Sequence, residues 1–253
     1  MFPQDLEEAV LQLEKIVREE AEKQGIDLTQ LDPNMDLDGP RKELILARYI
    51  RARGFRVEDT KAMIMTSIKW RLQNQPYKVS IEDIIIAAKR DYCFFHDFDR
   101  DNNPIVWVNV QFHLDYANYT EIYQKFVLFM MEEGLRRASQ ILESTENREK
   151  FPNIKATLVF DMKGFSMANM DFPIVKFLAE TLQAHYPDVL AHTYIVDSPW
   201  IFSTCWAMIK GWLDPVVVSK IEFLDRQALL KAIPPEKVPV VLGGKSVHKK
   251  MWE

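Results

Sequence analysis

The residues Asp97-Phe98-Asp99-Arg100-Asp101-Asn102 alternate carboxylates with other side chains, as the opening of an EF-hand calcium loop does. Such a loop needs a bidentate glutamate at its twelfth position and a glycine at its sixth, and this chain has Val108 and Asn102 there. The flanks are rich in β-formers, so the stretch is expected to be a hairpin turn in which Asp and Asn bond the local backbone. Gly243-Gly244-Lys245-Ser246 has the ending of a phosphate loop, but the glycine that would open it is Pro239. A plain chain turn is expected instead. Ser166, in Gly164-Phe165-Ser166-Met167-Ala168, lacks the second glycine of a nucleophile elbow. The five histidines show no paired spacing, and neither Cys93 nor Cys205 has a neighbour at metal-ligand spacing. No catalytic residue and no metal ligand is assigned, and the chain is read as a non-enzyme.

Two other features carry binding chemistry. Arg48, Arg51, Arg53 and Arg56 form a basic cluster whose members three apart share helix faces. It reads either as a solvated face or as a phosphate site. The run Trp200-Ile201-Phe202-Ser203-Thr204-Cys205-Trp206-Ala207-Met208-Ile209-Lys210-Gly211-Trp212-Leu213 contains one charge, Lys210. As a helix it is apolar on nearly every face, yet it falls short of the about 18 residues a membrane span requires. It reads equally as a buried core helix or as a lid over an apolar cavity, with tryptophans suited to a membrane interface.

The elements that must position these residues change texture along the chain. Apolar Leu6, Val10, Leu13, Ile16 and Val17 recur at helical spacing from Asp5 to Gln24, and helical patterns resume at Arg41–Ala52, Val57–Leu72 and Ile81–Lys89. Cys93-Phe94-Phe95 and Ile105–Val110 flank the turn-rich Asp97–Pro104 and predict a hairpin. Helix patterns at Tyr119–Leu142 and Phe172–His185 then alternate with strand patterns at Thr157–Phe160 and Thr193–Val196. That order predicts an α/β domain with a mostly parallel sheet behind an all-helical annex. The 253 residues are 47% hydrophobic and 27% charged, which excludes a largely disordered chain. A net charge of −5 argues against a nucleic-acid binder that works by bulk electrostatics. The acidic start Met1-Phe2-Pro3-Gln4-Asp5-Leu6-Glu7-Glu8 lacks the order of a signal peptide, so a cytoplasmic setting is expected.

Longer motifs resemble one known family. Ala47-Arg48-Tyr49-Ile50-Arg51-Ala52-Arg53-Gly54-Phe55, with Trp70-Arg71 downstream, is similar to the helical N-terminal signature of CRAL-TRIO proteins. Asp161-Met162-Lys163-Gly164, Tyr186-Pro187-Asp188, Ser198-Pro199-Trp200-Ile201-Phe202, Leu213 to Ile221 and Pro239 to Gly244 follow in the family's order. The likeness spans Leu44 to Ser246 and is strongest to the fungal phosphatidylinositol-transfer branch.

The resemblance implies a helical region at 1–90, a lipid-binding domain at 91–246 with the sheet as pocket floor and a helical gate as roof, and a tail at 247–253. It implies Lys220, Arg53 and Asp188 as head-group residues, although the family's lysine after Arg53 is Gly54 and Asp188 is shorter than the usual glutamate. Pocket and gate fall to Trp200, Phe202, Trp206, Ile209, Trp212, Leu213, Ala156 and Leu158. The last two stand where dual-specificity members carry a serine and a threonine for phosphatidylcholine, and Val217 replaces a family threonine. The implied function is extraction of a single lipid, foremost phosphatidylinositol, and its exchange during transient membrane contact, with no cofactor beyond the lipid. A less polar cargo (a sterol, squalene or another isoprenoid) and a lipid-sensing module that recruits a lipid-modifying enzyme are the alternatives.

Overall fold

The computed structural model describes residues 3–113, 116–144 and 155–250. Met1, Phe2 and the last three residues of the expected tail lie outside them. The described chain is helical to Ala88, through α1 (Pro3–Lys23), α2 (Lys42–Ala52), α3 (Val57–Asn74) and α4 (Ile81–Ala88). Leu6, Val10, Leu13, Val17 and Ala21 put one stripe of α1 into the core, which packs with Ile45, Leu46, Ile50, Ile64 and Ile68 of α2 and α3. Helix α4 begins at a capping box: the Ser80 hydroxyl accepts from the Asp83 amide, and the Asp83 carboxylate accepts from the Ser80 amide.

A five-stranded sheet follows, in the order β1 (Cys93–Phe98), β2 (Pro104–Asn109), β3 (Ala156–Asp161), β4 (Leu190–Val196), β5 (Ile221–Leu224). The β1–β2 hairpin is antiparallel and the other pairings are parallel. The crossovers run through α5 (Tyr116–Ser144), α6 (Phe172–His185), and the pair α7 (Phe202–Lys210) and α8 (Pro215–Val218), with α9 (Arg226–Ala232) after the last strand. Both sheet faces are apolar, as parallel strands covered on two sides require. Ile105, Trp107, Val159, Tyr194 and Val196 pack on Leu229, Ile233, Val238 and Leu242. The fully buried Trp107 indole still donates, to the His96 carbonyl at 2.9 Å.

The chain divides into two compact units: residues 1–78, 139–153 and 181–189, and residues 79–138, 154–180 and 190–253. The hairpin turn is built as its residue types predict. Asp99, 6% exposed, accepts from the Asp101 and Asn103 amides and from the Thr157 hydroxyl, leaving it a structural anchor. Gly243 turns at φ 85, and a Cβ on Gly244 would lie 2.0 Å from the Val238 carbonyl oxygen, so the glycine pair serves the chain turn.

Candidate functional site

Strand register builds the site from one face of the sheet. Leu158 pairs with Thr193 and Thr193 with Ile221; Phe160 pairs with Ile195 and Ile195 with Phe223. Alternation puts these six side chains on a common face, which is apolar apart from the Thr193 hydroxyl. The face is not sealed: Leu158, Phe160 and Ile221 are half-buried, and Phe223 is 47% exposed. Ala156 stands half-buried on the same side of β3.

Helix α7 lies against this face through Phe202, Cys205 and Ile209, which are buried together with Ile195 and pack against the half-buried Phe160 and Ile221. Burial raises the Cys205 thiol above its ordinary range, so it acts as a packing group. The helix is shorter than the apolar run that contains it. Before it, Pro199 and Trp200 form a turn whose carbonyls accept from the Phe202 and Ser203 amides, and the Ser203 hydroxyl donates to the Trp200 carbonyl at 2.8 Å. After it, Asp214 caps α8 by accepting from the Val216 amide.

The expectation of a helix apolar on nearly every face is therefore corrected. Ser203, Thr204, Ala207, Met208 and Lys210 face outward, while Trp206 and Trp212 are half-buried. Trp206 meets Phe223 edge to face at 5.4 Å, and Trp212 meets Phe172 at 6.1 Å. Leu213 is half-buried in the same cluster. Trp200 lies outside the helix and is 86% exposed.

A pocket of about 430 Å³ opens beside α7, lined by Ile195, Trp200, Ser203, Trp206 and Phe223 among others. It lies beyond the carboxyl ends of β4 and β5, where open α/β sheets receive ligands.

The expected head-group residues fall in both units. Lys220 follows α8 in the second; its ammonium is half-buried and donates to the Leu190 carbonyl at 2.6 Å. Arg53 closes α2 and Asp188 follows α6, both in the first unit and both half-buried. Asp188 takes φ 54, a conformation its short side chain tolerates.

The turn that carries Asp188 is held by residues from three separate stretches of the chain. Trp70 stacks on His185 at 4.1 Å and 8°, the Tyr49 hydroxyl donates to the His185 carbonyl, and the Ser67 hydroxyl donates to the Ala184 carbonyl. The Arg71 guanidinium lies over the Tyr186 ring and forks onto Asp32 at 2.6 and 2.7 Å. Burial, helped by the Arg71 charge, pushes the His185 imidazole down to about 4.

The remaining motifs are structural. Ser166 caps a 3₁₀ turn with Asn169, and Arg56 of the basic cluster pairs with Asp59. No group of three or more His, Cys, Asp and Glu side chains among the described residues is arranged to hold a metal, and no described helix is long and apolar enough to cross a membrane. Sequence reading missed Phe223, Asp197 and Asp225 of the pocket wall. The alternation of Ile221-Glu222-Phe223-Leu224 was the available signal for the first.

Residues 88–244 match the family model described as the CRAL/TRIO domain. The phosphatidylinositol transfer protein CSR1 of Eremothecium gossypii is 36% identical over 222 residues, covering 81% of this chain and 47% of that protein. The CRAL-TRIO domain-containing protein C3H8.02 of Schizosaccharomyces pombe is 32% identical, covering 79% of this chain and 45% of that protein. The chain thus spans about half the length of these two relatives. The crystal structure of Sfh5 superposes with a TM-score of 0.71 at 20% identity, over 100% of this chain and 91% of that one, and shows the same fold.

Proposed function

Because the chain belongs to the CRAL/TRIO domain family, we propose that it takes a single phosphatidylinositol into an apolar pocket and exchanges it at membranes without chemical turnover. The observation that carries the reading is the incompletely covered apolar face of Phe160, Ile195, Ile221 and Phe223 beneath α7. An acyl chain of about sixteen carbons gains roughly 12 kcal/mol on leaving water, so release into bulk water is slow and exchange requires a bilayer. The name of the relative CSR1 favours phosphatidylinositol as cargo. The sheet is the pocket floor, with Ala156 and Leu158 on it, and α7 with its flanks is the gate through Trp200, Phe202, Trp206, Ile209, Trp212 and Leu213. Lys220, Arg53 and Asp188 are the head-group residues. The working division remains a helical region to about residue 90, a lipid-binding domain to 246 and a tail.

A second reading, a less polar cargo, draws on the floor itself, where Thr193 alone offers a hydroxyl among six paired side chains. Lys220→Ala separates the two. Loss of a charge-assisted contact worth roughly 1.5–3 kcal/mol should lower phosphatidylinositol transfer between vesicles about tenfold or more, while the lost bond to the Leu190 carbonyl lowers the thermal midpoint by only a few degrees. Equal transfer by variant and wild type removes Lys220 from the site.

A further inference from the structure

The turn between β3 and α6, Gly164-Phe165-Ser166-Met167-Ala168, lacks the glycine of a nucleophile elbow, and in the folded chain it braces α7 instead. Two hydrogen bonds fix it: the Ser166 amide donates to the Asn169 side-chain oxygen at 2.9 Å, and the Asn169 side-chain amide donates to the Gly164 carbonyl at 3.3 Å. Held in this way, Phe165 meets Phe202 edge to face at 5.3 Å, and the Met167 thioether accepts from the Cys205 thiol at 3.6 Å. Both partners belong to the buried stripe of α7. Met167 itself is 48% exposed, so a side chain open to solvent touches the packed cluster. Met162 and Met170 are buried in that cluster, whereas Met208 is about as exposed as Met167 and lies outside it.

We propose that Met167 is an oxidation site through which a hydroperoxide loosens α7. In the step the thioether sulfur attacks the terminal peroxide oxygen, an S–O bond forms and the O–O bond breaks. Sulfur loses two electrons, the proton on the transferred oxygen passes to the departing one, and the peroxide leaves as water or an alcohol. A thioether reacts without ionising. The neighbouring Cys205 would have to react as its thiolate, and burial raises that thiol above its ordinary range at 1% exposure. The oxygen therefore goes to Met167. The product is a polar sulfoxide that turns toward water, so Cys205 loses its acceptor and α7 loses one of its two braces. Arrangements in which the helix is lifted from the sheet gain population. The consequence for lipid exchange rests on the reading of α7 as the gate; the oxidation site does not.

The test is limited oxidation of the full chain with hydrogen peroxide, followed by peptide mass spectrometry and amide hydrogen exchange of α7. Met167 and Met208 should take up oxygen while the buried Met162 and Met170 do not. Exchange across Phe202–Lys210 should then quicken about fivefold in wild type and in Met208→Leu, and return to its starting rate after treatment with methionine sulfoxide reductases for both epimers. Met167→Leu keeps an apolar side chain of similar size that peroxide does not oxidise, and its α7 should be indifferent to the treatment. Met167→Gln places a polar group there and should show the fast exchange without any oxidant. Failure of Met167 to oxidise, unchanged exchange after it does, slow exchange in Met167→Gln, or an equal response of Met167→Leu and wild type overturns the site. Phosphatidylinositol transfer between vesicles by the same oxidised sample should rise roughly twofold. A quickened α7 with unaltered transfer removes the helix from the gate and leaves the oxidation site standing.

Discussion

At His185 the folded protein holds an imidazole neutral that the unfolded chain would protonate. The ring lies flat against Trp70, and burial with the Arg71 charge moves it from about 6.5 to about 4. Between those values the unfolded state binds more protons, so stability is full above pH 6.5 and is lost as pH falls toward 4. The ring is not fully shielded, which limits the effect to about 1–2 kcal/mol. His185→Gln should flatten the fall in melting temperature across that window, by comparison of wild type and variant in calorimetry; parallel curves would contradict it. Beneath it, Arg71 and Asp32 have side chains only 2% and 1% exposed. Asp32→Asn leaves a buried guanidinium without its counter-charge, at about 3–5 kcal/mol, and should lower the melting temperature by roughly 10 °C. A shift within a degree or two would show the pair to be dispensable. These residues were only half legible. The family motif marks Trp70-Arg71 and Tyr186-Pro187-Asp188, but no spacing rule brings residue 70 to residue 185. By contrast, the Asp99 turn was readable because its amide donors lie two and four residues away.

Among the elements, α7 is the proposed gate, and a charge distinguishes its two faces. Cys205 is 1% exposed against the sheet, whereas Met208, one turn further on and beyond the edge of the buried stripe, is 51% exposed. Cys205→Asp should cost several kcal/mol and depress folding, as an unpaired buried carboxylate does. Met208→Asp should keep the melting temperature within about 2 °C yet reduce lipid transfer to vesicles about fivefold, because its carboxylate must enter the interface. Normal transfer by Met208→Asp would place the membrane contact elsewhere. Composition could not assign these faces: an apolar run of fourteen residues has no polar stripe to orient it, and Pro199, Gly211 and Pro215 trim it to Phe202–Lys210. Where periodicity was strong, the element was legible, and α6 spans Phe172–His185 as its pattern and its flanking Asp171 and Pro187 require. Strand β5 was not, since four residues interrupted by Glu222 give too short an alternation, and its pairing with β4 is what completes the sheet.

For the whole molecule, the order of helices and strands made the α/β class legible before any contact was known, because parallel strands need long crossovers and the sequence supplies them. The cargo was not legible in the same way. It depends on which side chains share one sheet face, and on half-burial that no period encodes. We propose that this face and α7 hold one phosphatidylinositol per chain. Native mass spectrometry of the full chain, purified without detergent and followed by lipid extraction and identification, tests it most directly. The expected result is a one-to-one adduct whose extract is phosphatidylinositol, lost from Lys220→Ala under the same conditions. A chain that carries a sterol, squalene or another isoprenoid in its place, or that carries no lipid and takes up none from phosphatidylinositol vesicles, would contradict it.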